Sequence, residues 1–292
     1  MSLAIIANPL AGRGRGQKTV ELTKEILTAQ KVDYELVCTK YAGHAIELAR
    51  KASANHPVVA ALGGDGTIRE VLEGTWQTSA CIGIIPGGTG NDYARGLGIP
   101  RQTEDALQTL IHGKEIPFDV GLADDQVFGQ MASIGFSADV LQYVNNYCDG
   151  FWKGSAAFLA AVVATIRNLR AFPVKITLDG KVIEKRIIAL FALNMPYGGG
   201  GMNFAPEARY DSGHFHLLFI EEIGRLNLAV TLPKIYSGRH VTHPAVNILQ
   251  GKEITVESDL LPLMIDGDIF PARPFHTTIM PQAMRVIVPT PV

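Results

Sequence analysis

The sequence predicts an α/β fold in two parts: an N-terminal domain on a parallel sheet, then a mainly antiparallel β-sandwich. Three observations lead there. Before residue 122, short apolar runs alternate with helical stretches at βαβ spacing, which builds a parallel sheet with helices on both faces. After it, strand-like runs with period-two patterning and turns such as Asp179-Gly180 indicate antiparallel pairing. A chain of 292 residues exceeds what one core usually serves, and its 47% apolar content is ample for two. The expected domains are residues 1–122 and 123–281.

The elements follow in order. Residues 3–7 read as a buried strand that empties into Asn8-Pro9-Leu10-Ala11-Gly12-Arg13-Gly14-Arg15-Gly16, ahead of a helix pattern carrying Val20, Ile26 and Leu27. Residues 34–39 form a second strand, ending at Thr39. Residues 58–62 form a third, followed by Gly63-Gly64-Asp65-Gly66-Thr67 and a helix expected to start at Ile68. Such a strand–glycine–helix passage sets backbone N–H groups around an anion, and glycine lets the main chain approach a polyphosphate closely. Thr67 is placed to cap the helix or touch a phosphate oxygen. An acid beside phosphates makes sense when a cation lies between them, so Asp65 implies Mg²⁺. The other reading of this stretch is a tight turn with Asp65 as a local cap. Residues 80–85 form a fourth strand that runs into Pro86-Gly87-Gly88-Thr89-Gly90-Asn91-Asp92-Tyr93-Ala94-Arg95. Loops that follow strands of one parallel sheet share its carboxyl edge, where such sheets bind ligands.

Beyond residue 122, strands are expected at 174–178, 187–194, 215–220, 254–257 and 285–288, with helices around 138–148 and 153–170. No internal repeat or low-complexity linker is present, so the hinge is short.

Several classes are set aside. A net charge of −2 gives no reason to invoke nucleic acid. Three cysteines (Cys38, Cys81 and Cys148) are few, odd in number and without metal spacing, which fits a reduced, cytoplasmic protein. Nothing at the N-terminus resembles a signal peptide. The first glycine loop lacks the Lys-Ser/Thr ending of a Walker A sequence, although Arg13, Arg15 and Lys18 could lend charge to phosphates. Its spacing is not that of a dinucleotide fingerprint, and the second strand ends without a ribose-binding acid. His240-Val241-Thr242-His243 has no partners placed for zinc. His214 and His216 alternate along a strand and are expected as a surface pair. The Gly198–201 run reads as a flexible turn that could also line a cleft.

In combination, Asn8-Pro9 with Gly12, the Gly63-to-Thr67 loop with Glu70, and Gly88-Thr89-Gly90-Asn91-Asp92 resemble the catalytic domain of the diacylglycerol kinase family, the soluble bacterial lipid kinases above all. The likeness extends over Thr39 with Gly43-His44-Ala45, Phe118-Asp119-Val120-Gly121, Ile134-Gly135-Phe136 and Asp266-Gly267-Asp268. It implies an NAD kinase/diacylglycerol kinase-like nucleotide-binding domain to which the final segment, about 282–292, returns. It implies ATP and Mg²⁺ as cofactors, with the nucleotide held by Asn8, Pro9, Gly12, Thr39, Gly63, Gly64, Asp65, Gly66, Thr67, Glu70, Gly88, Thr89, Asn91 and Asp92. Asp268 stands where the family has the Glu proposed as proton acceptor, one methylene shorter; read alone, Asp266-Gly267 is a hairpin turn.

The chain also departs from the family. At the usual structural magnesium segment it reads Ala208-Arg209-Tyr210-Asp211-Ser212-Gly213-His214. Ser212 replaces the anionic ligand, leaving the carbonyls of Arg209 and His214 with Asp211 one position back, a weaker set. Gln130, Ser133 and Ser137 replace an Asn, a Gly and an Asp. The implied partners are a lipid alcohol, diacylglycerol first, a membrane surface met transiently, and a second copy of the chain. The apolar run 156–166 is too short to span a bilayer; it reads as a helix packed on the second domain, or as one near the lipid with Phe151 and Trp152 at the surface. Two alternatives remain: an NAD kinase-like enzyme, which shares the Gly-Gly-Asp-Gly-Thr loop, and a lipid-binding pseudokinase.

Overall fold

The computed structural model describes residues 2–147, 155–258 and 261–290. The first part contains β1 (Leu3–Ala7), α1 (Ala11–Gly14), α2 (Gly16–Ala29), β2 (Tyr34–Cys38), α3 (His44–Ser53), β3 (Val58–Gly63), α4 (Asp65–Thr75), β4 (Cys81–Pro86), α5 (Asp92–Gly96), α6 (Thr103–His112) and β5 (Lys114–Ala123). The order β4-β3-β1-β2 is parallel throughout. The five residues of β1 are all buried because both faces of the sheet are covered. Ala4 and Ile6 pack with Ala45 and Ala49 of α3 and with Ile68 and Val71 of α4. Leu3, Ile5 and Ala7 pack with Val20 and Leu27 of α2 and with Leu107 and Leu110 of α6.

The second part contains β6 (Gln126–Phe128), β7 (Met131–Gly135), α7 (Phe136–Tyr147), α8 (Ser155–Arg167), β8 (Phe172–Leu178), β9 (Lys181–Leu193), β10 (Tyr197–Gly198), β11 (Met202–Asn203), β12 (Phe215–Glu221), α9 (Arg225–Thr231), β13 (Val246–Gly251), β14 (Glu253–Glu257), β15 (Leu263–Ile265), β16 (Asp268–Phe270) and β17 (Phe275–Val288). Its strands pair antiparallel. One face gathers Ile134, Ile176, Leu190, Phe215, Leu217 and Val256 into the sandwich interior. The other, with Ile188, Phe191 and Leu218, packs with Val140, Ala161, Val162 and Leu228 of the helices. Ala161 and Val162 place α8 on the second domain. Phe151, Trp152 and Cys148 lie outside the described residues.

One strand ties the halves together. β17 pairs with β14 near its start, with β5 on both sides of an irregularity between Met280 and Met284, and with β4 in parallel at Val286. The sequence showed only its last four residues, because His276, Thr277 and Thr278 dilute the apolar signal and Pro281 interrupts it.

Two expectations need correction. Helix α4 begins at Asp65, not Ile68, with Gly64 extended at its N-cap position. Aspartate at the positive end of a helix stabilises that early start. Thr67 therefore lies inside the first turn, and no side chain caps the helix. His214 and His216 do share a face, with ring centroids 5.3 Å apart, yet His216 is buried and is no surface residue. Among the described residues no helix is long and apolar enough to cross a membrane.

Candidate active site

The ends of β1, β3 and β4 are level: Ala7 lies beside Leu62, and Leu62 beside Ile85. Their three loops therefore meet on one edge. Gly87 N–H donates to the Gly63 carbonyl (2.7 Å), and a Cβ on Gly88 would sit 2.5 Å from Gly64 Cα. The second and third loops thus touch main chain to main chain. Gly12, at φ +62°, brings the first loop in as closely, since a Cβ there would collide with the Gly87 carbonyl oxygen. Gly16 lets α2 start against the carbonyls of Asn8 and Pro9. Asn8 Nδ2 donates to Thr67 Oγ1 (3.3 Å), and Asn8 Oδ1 accepts from Leu10 N–H (3.0 Å). Asn91, in the left-handed region, accepts from Gly88 N–H (2.9 Å) and donates to the Gly88 carbonyl (3.1 Å).

A cleft of about 460 Å³ opens over this edge. Its wall takes Asn8 and Gly12 from the first loop, Thr39 from the end of β2, Gly64, Gly66, Thr67 and Glu70 from the second loop and α4, and Gly88 and Thr89 from the third. Free N–H groups in the first turn of α4 are the donors an anion would meet. Glu70 lines the cleft, but its carboxylate accepts from the N–H groups of Gly43 (2.9 Å) and Ala45 (3.1 Å) and so fixes the start of α3.

Two carboxylates meet at Gly90. A Cβ there would sit 2.9 Å from Asp65 Oδ2 and 3.4 Å from Asp92 Oδ2. Asp65 Oδ1 accepts from Tyr93 N–H (3.1 Å), and Asp92 Oδ2 from Gly200 N–H (2.7 Å) in the β10–β11 turn. The Gly198–201 run thus reaches the first domain. Burial raises the Asp65 carboxyl above its ordinary value; burial, then the Asp65 charge, raises that of Asp92. Asp92 Oδ1 is buried without a hydrogen-bond partner, and the Arg95 guanidinium stands 3.7 Å away. Two hard carboxylates, one with an oxygen that accepts no hydrogen bond, suit a Mg²⁺ ion, which commonly takes one or two protein carboxylates and completes its shell from phosphate and water.

The second domain approaches α4 beside this edge through its own Asp-Gly turn. Asp266-Gly267, both at positive φ, turn β15 into β16. Asp268 follows, half exposed, with Oδ2 2.6 Å from Arg69 of α4. Arg69 lies one turn past Asp65, which brings Asp268 beside the loops. Asp266 is buried. It accepts from Tyr93 O–H (2.5 Å) and from the N–H groups of Gly129 (2.8 Å), Gln130 (3.0 Å) and Met131 (2.8 Å). Sequence reasoning gave Tyr93 and Arg69 no role in this site, and took Asp266 only as part of the Asp266-Gly267-Asp268 motif without its buried role, since its partners lie far away in the chain.

The residues of the second metal set are otherwise engaged. Both Asp211 oxygens pair with Arg209 (3.0 and 3.1 Å), the Ser212 hydroxyl donates to the His214 carbonyl (3.0 Å), and the His214 ring Nδ1 lies 2.8 Å from the Ser212 carbonyl. The loop is anchored by buried Asp119, which accepts from Gly213 N–H (2.6 Å) and Gln282 N–H (2.7 Å). Among the described residues no group of three or more His, Cys, Asp or Glu is placed to hold a metal.

A parallel-sheet domain with three glycine loops on its carboxyl edge, closed by a β-sandwich, is the architecture of the NAD kinase and diacylglycerol kinase class. The diacylglycerol kinase catalytic domain matches residues 2–123, and the YegS C-terminal NAD kinase beta sandwich-like domain matches residues 130–288. The chain belongs to the diacylglycerol kinase family, a family of lipid kinases. A diacylglycerol kinase of Mycobacterium tuberculosis is 29% identical over 97% of this chain and 94% of its own, and one of Staphylococcus carnosus is 27% identical over 98% and 94%. A crystal structure from Bacillus anthracis, assigned to diacylglycerol kinase, superposes with a TM-score of 0.83 at 27% identity, covering 98% of this chain and 94% of that one. Yeast NADH kinase with NADH reaches a TM-score of 0.56 at 10% identity, over 99% of this chain and 84% of its own, a likeness of fold.

Proposed function

We propose that the protein transfers the γ-phosphate of Mg·ATP to the hydroxyl of a lipid alcohol, diacylglycerol first, giving phosphatidic acid. The observation that carries this reading is the convergence of three glycine loops beside the Asp65–Asp92 pair. The N–H groups of Gly64 to Thr67 and of Thr89 hold the phosphates, Gly88 lets the main chain approach closely with its own N–H tied to Asn91, and Thr39 borders the nucleotide. Asp65 and Asp92 hold Mg²⁺, which when bound neutralises charge on the phosphates. Asn91 and Glu70 shape the loops rather than touch the nucleotide. Asp268 accepts the proton of the lipid hydroxyl as its oxygen bonds to the γ-phosphorus and the bond to the ADP oxygen breaks. Arg69 holds the Asp268 carboxylate in place. Relatives named diacylglycerol kinase over nearly the whole chain support the choice of acceptor; the NADH kinase likeness, at 10% identity, concerns the fold.

The test is labelled ATP with a panel of lipid alcohols and NAD, comparing wild type with Asp65→Ala and Asp268→Ala. Lipid phosphorylation that falls about a hundredfold or more in each variant is expected, the scale of a lost general base. Full activity in both variants, or turnover with NAD and none with lipid, would overturn the reading.

A further inference from the structure

A patch outside the cleft has the chemistry of a surface built to lie on a membrane. Helix α9 exposes Leu226 (84%) and Val230 (66%), four residues apart and so on one face, and the 3-10 segment after it exposes Tyr236 (56%). Large apolar side chains this open, gathered within eleven positions, mark a docking site more often than chance surface. The charges on the segment itself have one sign, although exposed Glu207 lies beside it next to Pro206, which packs on Gly238. From residue 223 to 252 the chain contains no Asp or Glu, while Arg225, Lys234 and Arg239 are exposed. Among the described residues none of these three basic groups has an ion-pair partner. The acids that border the segment, Glu221 and Glu222, are already paired with Lys185 (3.0 Å) and Arg186 (3.1 Å). Helix α8 packs against α9 and adds exposed Val163 and Arg167, again with no acid on the helix.

We infer that this α9 surface docks the enzyme on an anionic lipid bilayer, its apolar side chains entering the interface and its basic groups meeting lipid phosphates. The choice of a bilayer over other partners rests on the lipid-kinase reading; the patch itself does not. Its place in the fold suits that role. The 3-10 segment packs against β11, and the β10–β11 turn carries Gly200, which donates to Asp92 (2.7 Å). A membrane at α9 is therefore one hairpin away from Asp92 of the acid pair assigned to Mg²⁺.

The experiment is vesicle flotation of the full chain with phosphatidylcholine alone and with phosphatidylcholine containing phosphatidylglycerol, beside kinase assays on a dispersed short-chain diacylglycerol. Wild type should float with the anionic vesicles and less so as salt rises. The double variant Leu226→Glu/Val230→Glu, and separately Lys234→Glu/Arg239→Glu, should lose about tenfold or more of that binding, as removal of apolar and cationic anchors dictates. Activity on the dispersed substrate should stay at the wild-type level. If the lipid-kinase reading fails, the dispersed substrate is not phosphorylated by wild type; if the docking surface is wrong, wild type is active there while the variants bind vesicles undiminished. A change from dimer to monomer in the variants, with vesicle binding intact, would overturn the inference by making the patch a contact between copies.

Discussion

Asp266 and Asp268 stand two positions apart and serve different ends. Asp268 is half exposed and ion-paired, whereas buried Asp266 accepts hydrogen bonds from four donors, one on α5 and three on the chain entering β7. An amide at position 266 would turn a donor toward donors. Asp266→Asn should therefore lower stability by about 3 kcal/mol or more, the scale for breaking a buried charged network, as measured by urea unfolding. An unchanged midpoint would show that the network is dispensable. His240 gives a pH dependence. It is buried, its Nε2 lies 3.0 Å from the Phe204 carbonyl, and its Nδ1 has no partner. Burial holds its pKa below the usual value. A depressed pKa means that the neutral ring stabilises the fold above about pH 6.5 and that this stability is lost as pH falls through the folded-state value. Wild type should lose stability there with a slope of up to about 1.4 kcal/mol per pH unit, and His240→Leu should lack that component. The sequence showed the Gly-Asp-Gly loop and the Asp-Gly turn as local patterns. Asp266 and His240 were opaque because their partners, Gly129 to Met131 and Phe204, are distant in the chain.

Among the elements, α4 does the most to assemble the site. Its first turn contains Asp65, Gly66 and Thr67, its second presents Arg69 to Asp268, and Glu70 ties it to α3. The strands leading into the loops were legible because a parallel sheet covered on both faces demands unbroken apolar runs. The helix start was not, because two glycines ahead of Asp65 looked like a longer turn. The same glycines set the spacing of the loops. Gly88→Ala would press a methyl group to 2.5 Å from Gly64 Cα, where no flexible side chain can yield. We expect Mg·ADP affinity, measured by titration calorimetry, to drop at least about tenfold, in keeping with loss of close main-chain approach to phosphate. Wild-type affinity in this variant would mean that the two loops can part without consequence for the nucleotide.

For the whole molecule, β17 is the shared element. It belongs to the sandwich at Phe275 and to the parallel sheet at Val286, so neither domain has a complete sheet without it. Scanning calorimetry should give one cooperative transition; two resolved transitions would mean that the shared strand does not couple the domains. Resemblance pointed to a returning C-terminal segment, but composition alone could not, since a strand's partners are set by topology. The 209–214 loop is held by Arg209–Asp211 and by Asp119, groups already paired within the chain. Chelation of divalent ions should therefore leave the transition temperature of the nucleotide-free protein within about 1 °C, since no structural ion is lost; a drop of several degrees would show that a cation supports the fold.

Most direct of all is a crystal structure with Mg²⁺ and a non-hydrolysable ATP analogue. The account predicts the triphosphate over the joined ends of β1, β3 and β4, within hydrogen-bonding distance of main-chain N–H groups in the second and third glycine loops, with the metal on Asp65 and Asp92. A nucleotide seated anywhere else, or a metal that touches neither carboxylate, would contradict it.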